Sequence, residues 1–224
     1  MEMNELLDIL EMPEAVSAEV IKFGKRFDYV SVQNLMDGFY NSDTWDEARE
    51  RLKEVLGADE KGIKMLGCML HCALLTYDKY IRFGIDREIF TETMKCFTRF
   101  LNEHYAMTGE YAFDREWWTV RQIAMKLFRI GELEYELLCW EGKKVISIHI
   151  PSDAEISDDN CTQSLSRARA FADRYFEDYK NVDFICHSWL LSPALKQLLP
   201  ETSNIIKFQQ RFDIKSVDED AMDF

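Results

Sequence analysis

Glu134, His149 and the run Cys186-His187-Ser188 are the side chains here whose types could move a proton or attack a carbonyl. Glu134 and His149 lie in LFRIGELEYELLCW and EGKKVISIHIP, which alternate like strands around a break at Glu141-Gly142. A two-residue loop there sets Leu133 opposite Ile150, Tyr135 opposite Ile148 and Leu137 opposite Ile146. One face is then apolar, while Glu134/His149 and Glu136/Ser147 share the other. A three-residue loop would mix the faces, so the pattern favours the first register. Glu is a poor choice for a left-handed turn position, so the turn residues alone do not decide it. Cross-strand Cβ atoms lie about 5 Å apart. A carboxylate fixing an imidazole suits a general base that deprotonates an amine. The same pair could equally be a structural charge pair beneath the helix that follows.

Strand alternation limits what Cys186-His187-Ser188 can do. Cys186 and Ser188 point to one face, His187 and Trp189 to the other, so neighbours cannot form a dyad. Cys186 or Ser188 would need a base from elsewhere, such as His149. An activated cysteine needs an electropositive setting, and none is evident; a core thiol and a strand-end polar residue are the alternative. His187, Trp189 and Ser192 fall where a strand ends, the usual place for a ligand cleft in an open α/β sheet. Packing against the preceding helices would use His187 and Trp189 as well. Cys68-x-x-His71-Cys72 has helical metal-ligand spacing, but structural zinc wants four ligands and no second cluster supplies the rest, so no metal is assigned. Trp117-Trp118 could stack a planar ligand or form an aromatic seam.

The elements that must position these groups follow from periodicity. Cys161, Leu165, Ala168, Ala172 and Phe176 make one helical face. Val182 to Leu191 is an apolar run of strand length. Hairpin, crossover helix and strand give a ββαβ unit whose last two strands run parallel. Residues 1 to about 110 read as helices: Asn4–Leu10, Glu14–Arg26 after Pro13, Ser31–Tyr40, one from Asp43-Thr44 to Leu56, and the central Lys61–Ile81. Another runs from Asp86 through Tyr105. The pattern breaks at Met107–Phe113 with Gly109 at its centre, and Asp114 opens a helix leading to the strand at Leu127. Past Ser192-Pro193 come helices to Leu199 and over Ile205–Gln210, then a strand beginning at Phe212, Ile214 and Ser216. Asp218 to Phe224 reads as an element starting, or as an acidic tail.

The chain of 224 residues is 47% hydrophobic and 13% aromatic, enough for a sizeable core. A net charge of −14 and a pI near 4.8 argue against nucleic acid and anionic membrane surfaces as partners. No run reaches the eighteen or so apolar residues of a membrane span, and the N-terminus is acidic where a signal peptide would be basic. Six cysteines without a CxxC pair read as reduced thiols of a cytoplasmic protein. A homo-oligomer is compatible with all of this.

LFRIGELEYELLCW, IHIPSDA, ICHSWLLSPAL and SNIIKFQQRF resemble a bacterial family with a helical N-acyltransferase N-terminal domain and a GNAT-like (Gcn5-related N-acetyltransferase-like) C-terminal domain. The resemblance covers residues 115–217 through these phrases, and 1–110 through helical character and position. It implies an α+β fold: a helical domain over 1–110, packed on a GNAT-like mixed β-sheet with a crossover helix over 111–224. It also implies acetyl-CoA or acyl-CoA as co-substrate and a small-molecule or peptide amine as acceptor. Working members of the Gcn5-related N-acetyltransferase superfamily, which the resemblance invokes, carry Q/R-x-x-G-x-G/A, whose backbone N–H groups hold the CoA pyrophosphate. The matching segment here, Pro151–Asn160, has no glycine and carries Asp153, Glu155, Asp158 and Asp159. No Lys or Arg stands between Lys144 and Arg167. Such acids repel a pyrophosphate by ~1 kcal/mol per close pair at surface dielectric.

Two functions follow. One is an acyl-CoA-dependent N-acyltransferase, with Glu134 and His149 as base pair and Ser188 or Cys186 protonating the leaving thiolate. The other is a catalytically inactive module that binds a metabolite near His187 and Trp189, or a protein through its helices. A Cys/His hydrolase lacks an accompanying oxyanion-hole or nucleophile-elbow pattern.

Overall fold

The computed structural model describes residues 1–217. The chain forms two compact units, Met1–Phe128 and Arg129–Phe224. The first is helical: α1 Met3–Ile9, α2 Glu14–Gly24, α3 Gln33–Asp37, α4 Trp45–Leu56, α5 Ile63–Phe83, α6 Arg87–Met94, α7 Cys96–Thr108 and α8 Glu116–Ile123. Helix α5 is its centre and packs against α1, α2, α4, α6 and α8. Its Leu66, Cys68, Met69, Leu70, Cys72, Ala73 and Tyr80 are fully buried. The Cys-x-x-His-Cys run is therefore part of this core. His71 stacks on Tyr29 with centroids 4.3 Å apart, and burial pushes the Cys68 thiol up to about 12. Among the described residues no group of three His, Cys, Asp or Glu side chains could hold a metal ion.

Two helices differ from the periodic reading. Ser31–Tyr40 breaks into a 3₁₀ turn, α3 and a second 3₁₀ turn. The helix expected from Asp86 to Tyr105 divides at Lys95 into α6 and α7. Phe90, Met94, Phe97 and Leu101 are all buried nonetheless, so one apolar stripe serves both pieces. Helix α8 belongs to the first unit, because Thr76 Oγ1 donates to the Ile123 carbonyl at 2.9 Å and Thr119 Oγ1 to Met69 Sδ at 3.1 Å. The compact units thus part at Phe128–Arg129, where the sequence reading sets its domains at 1–110 and 111–224.

The second unit carries a four-stranded sheet in the order β1 (Leu127–Ile130), β2 (Leu133–Trp140), β3 (Lys143–His149), β4 (Phe184–Cys186). The β2–β3 register is the one favoured by the apolar alternation, with Glu134 beside His149 and Tyr135 beside Ile148. Its two-residue loop places both Glu141 (φ 49°) and Gly142 (φ 77°) in the left-handed region, as a tight hairpin turn demands. Strand β3 pairs parallel with β4 from Ile146↔Phe184 to Ile148↔Cys186. Between them runs the crossover helix α9, Asp158–Tyr175, capped by the Ser157 hydroxyl accepting from Asn160 N–H.

The buried face of α9 is Cys161, Ser164, Ala168, Phe171 and Ala172. Ser164 and Phe171 take the places expected of Leu165 and Phe176. Tyr135 O–H donates to Ser164 Oγ at 2.7 Å, and that hydroxyl in turn donates to the Ile130 carbonyl. The polar bridge rotates the helix toward its serine.

The strand expected over Val182–Leu191 shrinks to Phe184–Cys186. Ser188 ends it: its Oγ accepts from Leu190 N–H and starts a 3₁₀ turn, Trp189–Leu191. Helices α10 (Leu195–Leu198) and α11 (Asn204–Gln209) follow. No strand forms over residues 212–216, and Asp218–Phe224 lies outside the described residues.

Gly62, at φ +64°, has no room for a side chain: an added Cβ would meet the Phe113 carbonyl oxygen at 2.0 Å. Gly84, at φ +67°, has open space around the same position. Gly62→Ala should therefore lower stability by at least about 2 kcal/mol, and Gly84→Ala by only about 1 kcal/mol. Thermal unfolding of the two variants side by side checks the difference; equal losses would contradict it.

Candidate functional site

Strand alternation sorts the candidate residues onto two faces. Tyr135 reaches Ser164 of α9, and Arg169 of α9 covers the Phe184 ring at 4.2 Å. Tyr135, Ile148 and Cys186 are neighbours in register, so all three face α9. Glu134, Glu136, Ser147 and His149 point the other way. Their acid–histidine set is thus not a charge pair beneath the crossover helix. Cys186 is also separated from His149 by the thickness of the sheet.

The polar face is not a solvent face. Glu134 is 2% exposed and Ser147 4%. His149 Nε2 and Glu136 Oε2 lie 2.9 Å apart, with side chains 25% and 12% exposed. An ionised carboxylate can only accept, so Nε2–H is the donor whenever Glu136 is ionised; in the tautomer a base needs, the lone pair is on Nδ1. The sequence reading paired His149 with Glu134, its direct neighbour. A hydrogen bond also runs diagonally from His149 to Glu136, which was legible only as another acid on that face.

Strands β3 and β4 stop together, and two connections leave their carboxyl ends. The first, residues 150–157, is tied to the start of the sheet. Arg129, 8% exposed, donates from Nη1 to Asp153 Oδ1 at 2.7 Å and from Nε to the Gly131 carbonyl at 2.9 Å. Glu132 Oε2 accepts from Glu155 N–H at 2.9 Å. At the start of α9 the Asp158 carboxylate is bound by Arg211. Two of the acids that the sequence alone shows as unrelieved are therefore paired with arginines from distant positions.

The second connection holds His187, Ser188, Trp189 and Ser192. His187 is exposed and its ring lies 4.7 Å from that of Trp140. Trp189, on the 3₁₀ turn, is 57% exposed. Burial pushes the Cys186 thiol up from 9.0 to about 12, so at neutral pH it is neither thiolate nor ready acid. Ser188, Trp189 and Ser192 thus gather on one turn past the end of β4, with His149 at the end of β3 beside it.

Residues 1–125 match the model of an N-acyltransferase N-terminal domain, and residues 127–224 that of a GNAT-like C-terminal domain. Among curated proteins none matches in sequence. Several solved structures share the fold. An acyltransferase in complex with decanoyl-CoA and teicoplanin superposes with a TM-score of 0.77 at 23% identity, over 97% of this chain and 70% of that one. An acyltransferase in complex with CoA and 10C-teicoplanin gives 0.77 at 22%, over the same shares. A mutant acyltransferase in complex with octanoyl-CoA gives 0.77 at 22%, over 96% and 70%. The domains together account for nearly the whole sequence: the chain belongs to the family that joins an N-acyltransferase N-terminal domain to a GNAT-like C-terminal domain.

Proposed function

We propose that the chain is an acyl-CoA-dependent N-acyltransferase that passes the acyl group directly from the thioester to an amine. The observation that carries this reading is His149, held by Glu136 at the carboxyl end of β3, where the parallel pairing with β4 stops. The acyltransferases of like fold hold decanoyl-CoA, octanoyl-CoA and CoA, which makes medium-chain acyl-CoAs the first donors to try. The acceptor is a small-molecule or peptide amine. The net charge of −14 disfavours a nucleic acid in that role. Among the described residues no helix is long and apolar enough to cross a membrane.

The acyl-CoA must fit residues that are already charged. The α9 start carries acids, but Arg129 and Arg211 neutralise Asp153 and Asp158 there. In the reaction the amine nitrogen attacks the thioester carbonyl while His149 takes its proton. The Glu136 carboxylate steadies the imidazolium that forms. The tetrahedral intermediate collapses, the C–S bond breaks, and CoA leaves as a thiolate that takes up the proton His149 accepted from the amine, which regenerates the base. Ser188 is the group that can offer a hydrogen bond to the departing sulfur. Cys186 is not placed for this role, since it shares the α9 face with Ile148 and Tyr135 while His149 points the other way.

Saturating decanoyl-CoA at about a hundredfold Kd should add ~2.7 kcal/mol. That raises Tm by roughly 5–11 °C for a protein of this size. No shift with any acyl-CoA or CoA would favour the alternative, a module that binds another metabolite or a protein.

With a donor found, His149→Ala should lower kcat by about 10²–10⁴-fold, the usual span for a general base. Glu136→Gln should lower it less and in the same direction, by about tenfold or more. Steady-state kinetics of both variants decide this; an unchanged kcat for His149→Ala would remove the base from the scheme.

Cys186 gives a separate test. At pH 8 iodoacetamide should modify the exposed Cys139 and leave Cys186 intact, and Cys186→Ala should keep kcat within about threefold. Peptide mapping by mass spectrometry reads the first and turnover the second.

A further inference from the structure

Beyond the reacting groups, one short segment grips both connections that leave the carboxyl ends of β3 and β4. Gln209 closes α11 and is 3% exposed, an unusual place for an amide. Its Nε2 donates to the Leu190 carbonyl at 2.8 Å and to the Ser192 carbonyl at 2.9 Å. Both carbonyls belong to the turn that carries Ser188 and Trp189. Two residues further on, Arg211 Nη2 donates to the Asp158 carbonyl and to Thr162 Oγ1, each at 2.8 Å, and binds the Asp158 carboxylate. Those groups form the first turn of α9, the end of the β3 connection. Ile206 and Phe208, 3% and 1% exposed, seat α11 beneath.

We propose that Gln209 and Arg211 are positioning residues for acyl transfer: they set the Ser188–Ser192 turn and the start of α9 in fixed register. This rests on the acyltransferase reading above. The amide is suited to the task because it presents two donors to two carbonyls of one turn. A carboxylate has no donor for them, and an apolar side chain of the same size has none either. The arginine is suited because its Nη2 alone lies within reach of a backbone carbonyl, a carboxylate and a hydroxyl. Gln209 Oε1 and Arg211 Nε are themselves buried without a protein partner. The local polar fit is thus spent on the turn and the helix start, and not on the clamp's own satisfaction.

A clamp of this kind predicts a loss of geometry without a loss of fold. In Gln209→Met, amide hydrogen exchange over residues 187–193 should accelerate about tenfold or more, while α9 and β2–β3 keep wild-type protection. Acyl-CoA turnover should fall by about 10–100-fold in kcat with KM changed less than about threefold, since small misplacements act on the transition state. Arg211→Lys should show the exchange effect at residues 158–163 instead, and Arg211→Met a larger one.

If Gln209→Met speeds exchange uniformly over the whole of the second unit, the residue is a simple core support and the proposal fails. It fails too if local exchange rises with kcat unchanged. If wild type itself shows no turnover with any acyl-CoA, the acyltransferase reading falls, while the exchange data still report whether the clamp exists. Should Gln209→Met not fold, Gln209→Lys restores a donor to the turn and should keep protection at 187–193; loss of protection there in a folded Gln209→Lys would also overturn the assignment.

Discussion

The buried chain Tyr135 O–H, Ser164 Oγ, Ile130 carbonyl decides how the second unit is put together. It joins β2, α9 and the end of β1 through one hydroxyl. Burial pushes the Tyr135 phenol well above its ordinary value, so the group stays neutral and must find its partner inside. Deleting the Ser164 hydroxyl strands the buried phenol at a cost of about 1–3 kcal/mol. The approach it fixes is close: an added Cβ on Gly131, at φ +66°, would come within 3.2 Å of Ser164 Cβ. Once α9 lies against Tyr135, alternation leaves Glu134, Glu136, Ser147 and His149 no choice of face. Cys186 must join the core.

Electrostatics at the start of α9 shows how distant residues change the meaning of a local sequence. Read alone, Pro151–Asn160 is a run of acids with no basic residue nearby. Folded, Asp153 meets Arg129, from before the hairpin, and Asp158 meets Arg211, from after α11. Ion pairs that are partly exposed add little net stability. Their effect is to remove uncompensated negative potential from the place where two strand ends open.

What the sequence revealed and withheld follows from the range of the interactions. The hairpin register was legible because Leu133, Tyr135 and Leu137 must share a face with Ile146 and Ile148, and a slip would bury acids. That constraint outweighed Glu141, which accepts φ 49° at a cost of about 1–2 kcal/mol. The bond between Glu136 and His149 was not legible: Glu134 is the direct partner in register, and Glu136 lies on the diagonal. Val182–Leu191 looked like one strand because it is mostly apolar; the hydroxyl of Ser188, capping the turn after it, was the signal against. Arg129 and Arg211 left no trace in the local pattern, since their partners are Asp153 and Asp158.

Fold and chemistry separate cleanly in this chain. The apolar face of the sheet and α9 are joined through Tyr135 and Ser164, without the polar groups on the opposite face. Those groups are nevertheless held inside: Glu134 and Ser147 are nearly inaccessible, and Glu136 and His149 mostly so. Keeping acids and an imidazole out of water costs free energy unless they bind one another, and apolar residues there would make an easier core. A site that departs from local rules where the rest of the unit obeys them is best explained by what it does. The Glu136–His149 pair, at the end of the one strand shared by the antiparallel hairpin and the parallel crossover, stands where a reacting amine could be deprotonated without disturbing the frame.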